Sequence, residues 1–175
     1  MESVYIGLGS NMGDRSLNLY QGLKCLRRIM HIKFVSSIYE TLPMYRENQA
    51  KFLNMVVSGN TVIEPMAFLH QIKSFEVEIG REESIERYGP RMIDIDILLF
   101  GEIIIETLHL SIPHPLLHER EFVLRPLADV ASTLRHPNLN KTVWEMLAPF
   151  DEDAKASLHS LNREMLEKFS RIICN

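Results

Sequence analysis

Cysteine, long apolar runs and excess positive charge are all scarce in this sequence, and each shortage removes a class of protein. Two cysteines, Cys25 and Cys174, stand among 175 residues. Cys25 falls on the apolar side of a predicted helix and Cys174 is penultimate, so neither a disulfide framework nor a tetrahedral zinc site is expected. No stretch approaches the roughly 18 apolar residues that a membrane span requires. The opening residues carry no basic leader. The expectation is a soluble, cytoplasmic protein that uses no membrane. Lys and Arg total 19 against 23 Asp and Glu, a net charge of −4, which argues against nucleic acid as the main partner. What is present is 46% hydrophobic residues, enough in a chain of this length for one domain with its own core.

Hydrophobic spacing outlines the elements. Residues 3–9 predict a buried strand, ended by the turn-prone Ser10-Asn11-Met12-Gly13. Asp14 then sits at an N-cap position, and Leu19, Leu23, Leu26 and Met30 predict a helix over 15–30. A β-branched and aromatic run predicts a strand from Ile32 to Tyr39, and residues 41–51 read as a loop. Phe52 to Val62 returns to strand character. Glu64-Pro65 opens a second helix, lined by Phe68, Ile72, Phe75 and Ile79, which stops at Gly80. A charged loop over 81–92 leads into a strand from Ile93 to Phe100. A hairpin through Gly101-Glu102 into Ile103–Ile105 and a short helix near 120–130 follow.

This order predicts an α+β fold: a ferredoxin-like βαββαβ core with a mostly antiparallel sheet and both helices on one face. A doubly wound parallel sheet is the alternative, disfavoured because no helical signal joins the second and third strands. Residues 1–150 form the expected domain, and 151–175 a C-terminal helical tail. Its stripe of Leu158, Leu161, Met165, Phe169 and Ile172 fits a helix packed on a monomeric domain, or a self-association helix that makes a dimer.

The run Ile93-Asp94-Ile95-Asp96-Ile97 alternates strictly. On a strand, Asp94 and Asp96 project from one face while the isoleucines enter the core on the other. Two neighbouring carboxylates repel each other and resist desolvation, so positive charge must compensate. Arginines in a structural cluster would do so. So would a shared divalent cation, and hard oxygen donors suit Mg²⁺. Arg81, Arg87 and Arg91 lie in the loop that feeds this strand, as phosphate transfer requires, since that chemistry rests on positioning and charge neutralisation.

Other motifs fall short. Gly7-x-Gly9 with Gly13 is one residue too long for the dinucleotide fingerprint, and no P-loop is present. Gly9-Ser10 resembles the opening of polymerase-like nucleotidyltransferases, but the Asp-x-Asp pair lies too far downstream. His109, His114 and His118 could be taken for a zinc cluster, yet Pro113 and Pro115 interrupt it and no H-E-x-x-H occurs.

Gly80-Arg81 and Arg87-Tyr88-Gly89-Pro90-Arg91-x-x-Asp94-Ile95-Asp96-Ile97-Leu98-Leu99 closely resemble the signature of the 6-hydroxymethyl-7,8-dihydropterin pyrophosphokinases of folate biosynthesis. Tyr5-Ile6-Gly7-Leu8-Gly9-Ser10-Asn11, Phe52-Leu53-Asn54 and Ile112-Pro113-His114-Pro115 with Glu119-Arg120-x-Phe122-Val123-Leu124 match further blocks in order. The resemblance implies transfer of the β,γ-pyrophosphoryl unit of ATP to the pterin's hydroxymethyl oxygen, releasing AMP. It implies that Asp94 and Asp96 hold two Mg²⁺ ions with bound ATP, and that Arg81 and Arg91 close over the nucleotide on a lid. Glu76, Ile97, His109, Ser111, His114 and Arg120 would complete the ATP contacts. Phe52 and Phe122 would stack the pterin, Asn54 would meet its amide-like edge, and Thr41, Met44 and Tyr88 would complete that pocket. Phe52, Tyr88, His109 and Lys73 depart from residues common in the family. A non-catalytic ferredoxin-like sensor and an Mg²⁺-dependent nucleotidyltransferase of another lineage remain the competing readings.

Overall fold

A computed structural model describes residues 1–44, 48–80, 89–153, 156–161 and 163–173. The chain opens with β1 (Glu2–Ser10), turns at Gly13 with φ of +63°, and enters α1 (Arg15–Leu26). The Asp14 side chain accepts the Leu17 N–H at 3.0 Å, closing an open donor of the first turn. The helix ends earlier than its apolar spacing predicts, with residues 27–30 forming turns instead. β2 (His31–Val35), β3 (Tyr39–Thr41) and β4 (Phe52–Thr61) follow, then α2 (Pro65–Glu78), whose proline occupies the first helical position. β5 (Asp94–Phe100) completes the core.

The sheet runs β5-β1-β4, with both β2 and β3 along the far side of β4, and every pairing is antiparallel. This is the predicted α+β order, fourth strand beside first and third beside second. The strand expected over Ile32–Tyr39 is broken in two. Val35 faces Val57 and Tyr39 faces Asn54, so four steps on one side match three on the other. The extra residue is accommodated where Ser36 folds in: its N–H reaches the Val56 carbonyl at 2.9 Å and its hydroxyl accepts the Val56 N–H at 2.8 Å.

α1 and α2 cover one face of the sheet, burying Leu19, Leu23, Phe68, Ile72 and Phe75 against Ile6, Ile93, Ile95 and Ile97. The other face carries a second layer, which includes the short helix expected near 120–130. It is built from α3 (Glu121–Ala131) and α4 (Val143–Leu147), whose Leu124, Leu127, Val143 and Met146 pack on Leu98, Leu99 and Val56. A bulge in β5 serves both layers. Ile6 faces Ile97 and Tyr5 faces Leu99, so Leu98 is extra. Leu98 and Leu99 therefore both join the second core, and Phe100 returns to the first.

Two expectations are revised. The segment after Gly101 does not fold back on β5; β6 (Ile105–Glu106) pairs with β7 (Ser111–Ile112) in a separate two-stranded sheet. The tail is not one helix. β8 (Ser157–Leu158) pairs with β3, and α5 (Arg163–Ile173) follows. Met165, Phe169 and Ile172 of α5 enter the first core, with the Phe169 ring 5.9 Å from that of Tyr20 on α1, while Leu158 stays exposed on β8. No helix among the described residues is long and apolar enough to cross a membrane.

Candidate active site

On the second face, α3 begins part-way along the sheet and leaves a cleft over the N-terminal half of β5. It encloses about 850 Å³ including its open mouth, the size of a small-molecule site. Register alone sets its floor. Asp94 of β5 lies directly opposite Gly9 of β1, and Gly9 opposite Asn54 of β4; one step along, Asp96 faces Gly7 and Gly7 faces Val56. Directly opposed residues share a face, so two carboxylates and an amide stand in one layer, separated by residues with no side chain.

Asp94 is ion-paired with Arg91, whose Nη1 donates to Oδ2 at 2.8 Å. Asp96 lies deeper. Burial, above all, and then the charge of Asp94 push its carboxyl up to about 7; Glu76 adds to this, while Lys73 and Arg120 pull the other way. A pair of hard oxygen donors that resists full ionisation as it stands fits a divalent cation such as Mg²⁺. Among the described residues no group of three or more His, Cys, Asp and Glu side chains could hold an ion. The protein would then supply two carboxylates and leave the remaining positions to phosphate oxygens and water, the arrangement Mg²⁺ favours.

Arg91 is held from several sides. Its backbone N–H donates to Asn11 Oδ1 at 2.8 Å and its Nε to the Gly89 carbonyl at 3.3 Å. The same Asn11 side chain donates to Gln49 Oε1 and to the Ala50 carbonyl, tying the 48–51 segment to Arg91. Across the cleft, the Arg120 guanidinium lies 5.6 Å from the Phe122 ring centroid at the start of α3. Phe52, half-buried on β4, also lines the cleft. Asn54 is buried, and its Nδ2 donates to Thr41 Oγ1 at 2.8 Å. Met44 is 55% exposed at the lip.

His114 lies beside this site, anchored by its N–H to the Leu98 carbonyl at 2.9 Å. Burial and the Arg120 charge lower its imidazole to about 4, against a smaller opposite pull from Asp94, so it is neutral at physiological pH. Its Nδ1 accepts the Leu116 N–H at 3.2 Å, which leaves the proton on Nε2 as a donor.

The structure thus brings Thr41, Met44, Phe52, Asn54, Arg91, Asp94, Asp96, Arg120 and Phe122 to one cleft. Glu76 does not line it. It is buried on α2, where its Oε1 accepts the Ile95 N–H at 2.7 Å and the carboxylate pairs with Lys73 Nζ at 3.1 Å, bracing β5 from behind. The Ile97 side chain belongs to the first core, His109 is exposed in the turn between β6 and β7, and Ser111 opens β7 opposite Glu106. Arg81 and Tyr88, and with them most of the proposed lid, fall outside the described residues. Sequence reasoning missed Gly7 and Gly9 as the floor. The signal was available: two glycines at period two on a strand leave that face bare. A Cβ on Gly9 would sit 3.1 Å from Asn54 Oδ1, closer than most packed contacts.

A model of the 7,8-dihydro-6-hydroxymethylpterin-pyrophosphokinase (HPPK) family matches residues 5–132. A 2-amino-4-hydroxy-6-hydroxymethyldihydropteridine pyrophosphokinase of Aquifex aeolicus is 40% identical over 145 residues, 83% of this chain and 90% of its own length. The Bacillus subtilis protein of the same name is 41% identical over 158 residues, 85% of this chain and 94% of its own. A wild-type Plasmodium falciparum HPPK-DHPS structure superimposes with a TM-score of 0.69 at 18% identity, over 86% of this chain and 45% of that one. This chain spans under half of that solved chain, and the likeness is one of fold.

Proposed function

Because this chain belongs to the 7,8-dihydro-6-hydroxymethylpterin-pyrophosphokinase family, we propose that its cleft carries the family's reaction with the division of labour described here. The enzyme transfers pyrophosphate from ATP to the hydroxymethyl group of 6-hydroxymethyl-7,8-dihydropterin, releasing AMP, in folate synthesis. One observation carries the assignment of residues: Asp94, Gly9 and Asn54 lie side by side across three strands. Adjacent strands are about 4.8 Å apart, so the carboxylate and the amide stand about 10 Å apart at the backbone. A bicyclic ring lying over Gly9, with its hydroxymethyl arm toward Asp94, covers that span.

Asp94 and Asp96 would hold Mg²⁺, as two ions with bound ATP, supplying charge neutralisation at the triphosphate and polarisation of the reacting oxygens. The chain's own residues do the rest. Phe52 and Phe122 stack the ring; an aromatic pair of this kind contributes about 0.5–1.5 kcal/mol beyond burial. Asn54 presents donor and acceptor to the polar edge of the pterin, fixed by Thr41. Arg91 and Arg120 bring positive charge to opposite sides of the phosphate path, and neutral His114 offers its Nε2–H to a phosphate oxygen. Arg81 and Tyr88 belong to this proposal as lid residues that exclude water and cover the ring. Glu76, Ile97, His109 and Ser111 are proposed on the nucleotide side, with Glu76 acting through the position of β5.

The test is to identify the small product when the purified chain, Mg²⁺, ATP and hydroxymethyldihydropterin are combined. Stoichiometric AMP is expected. ADP or free pyrophosphate as the sole product overturns the reading.

A further inference from the structure

β3 is a weak place to build a pocket wall. It has three residues, and a strand this short holds poorly when paired on one side alone. Its inner edge pairs with Phe52, Leu53 and Asn54, the stretch proposed for the pterin. Its last residue, Thr41, accepts the Asn54 side-chain N–H. The position of β3 therefore sets the partner that holds the Asn54 amide.

The segment that secures its outer edge lies beyond residue 132, where the match to the family model ends. Leu158 pairs with Tyr39 and Ser157 with Glu40. The His159 N–H donates to the Ile38 carbonyl at 2.8 Å, and the Ser157 hydroxyl to the Glu40 carbonyl at 3.4 Å. The Ala156 N–H reaches Glu121 Oε1, at the start of α3 next to Phe122. α5 then anchors the segment, burying Met165, Phe169 and Ile172 against the body of the domain. Other groups grip the same strand: Tyr39 Oη donates to Asp129, and Arg15 and Lys51 pair with Glu40. None of these replaces backbone pairing along the outer edge.

Resting on the pterin reading above, we infer that residues 156–159 are a positioning clip for the pterin pocket. β8 holds β3, β3 holds Thr41, and Thr41 sets the orientation of Asn54. The clip touches the strand wall and the start of α3, next to Phe122. Its loss is therefore felt in pterin binding and spares the nucleotide.

His159→Pro in the full chain tests this, because proline removes the N–H that closes the clip. The expected result is a rise of about three- to tenfold in KM for the pterin, with KM for ATP and kcat within twofold of the parent. His159→Ala keeps the backbone N–H and should match the parent, which separates the backbone bond from the imidazole. Melting temperatures of both variants within a few degrees of the parent separate loss of the clip from loss of the fold. An unchanged pterin KM in His159→Pro, or equal losses for ATP and pterin, overturns the inference. Absence of pterin-dependent AMP formation in the parent would instead count against the site assignment.

Discussion

Asp96→Asn should stabilise the metal-free protein while abolishing its activity. In the structure the Asp96 carboxyl is pushed from its ordinary value of 3.8 up to about 7, chiefly by burial and then by Asp94. A folded-state value above the unfolded one means that the native chain binds the extra proton. Stability is therefore greatest below about pH 4, falls as pH rises toward 7, and is level beyond. At about 1.36 kcal/mol for each tenfold change in proton affinity, the move from 3.8 to about 7 sets a ceiling of about 4 kcal/mol. Sharing with Asp94 and partial solvent contact reduce the expected effect to about 2 kcal/mol. Asparagine does not titrate, so the variant escapes this loss. Thermal unfolding in EDTA should give nearly equal melting temperatures near pH 3.5 and a variant about 4–8 °C higher at pH 8. Added Mg²⁺ should narrow the gap by stabilising the parent alone. Turnover should fall at least ~10²-fold. A variant less stable than the parent at pH 8 in EDTA, or a gap independent of pH, would refute the account of the carboxylate pair.

Three further outcomes can be checked. Arg91→Ala should lower kcat by about 10²-fold or more with pterin KM little changed; steady-state kinetics showing the reverse split would move Arg91 out of the phosphate path. Gly9→Ala places a methyl 3.1 Å from Asn54 Oδ1. It should raise pterin KM several-fold while melting stays within a few degrees, and titration with the pterin checks it. Glu76→Ala leaves the buried Ile95 N–H without its acceptor and should cost about 1–3 kcal/mol in denaturant unfolding; Glu76→Gln, which keeps an acceptor oxygen, should recover most of that.

Strand and helix periodicity made the βαββαβ order legible because each element spans enough turns or alternations to repeat its apolar spacing. The Ile93–Ile97 alternation was legible for the same reason, and spacing by itself separated the two aspartates from the core. The break at Ser36 was not, since a serine that folds back on the neighbouring strand looks like any other strand serine until Val56 is beside it. The Leu98 bulge was equally silent: consecutive leucines carry no mark of which core each will enter. In the tail, the apolar stripe suggested one helix. The open edge of β3 draws residues 157–158 into a strand instead.

Local pattern and motif, taken alone, determined the fold class, the carboxylate pair, and through four ordered blocks the family. Those features are written in residues close together in the chain. Only the tertiary structure decided which of the named residues meet. Register across β5, β1 and β4 put Asp94, Gly9 and Asn54 in one row, although they lie up to 85 positions apart. Packing turned Glu76 inward as a brace behind β5, and pairing of open strand edges set residues 157–158 of the tail against β3. Contacts between distant segments depend on relative placement, which spacing within one segment does not encode.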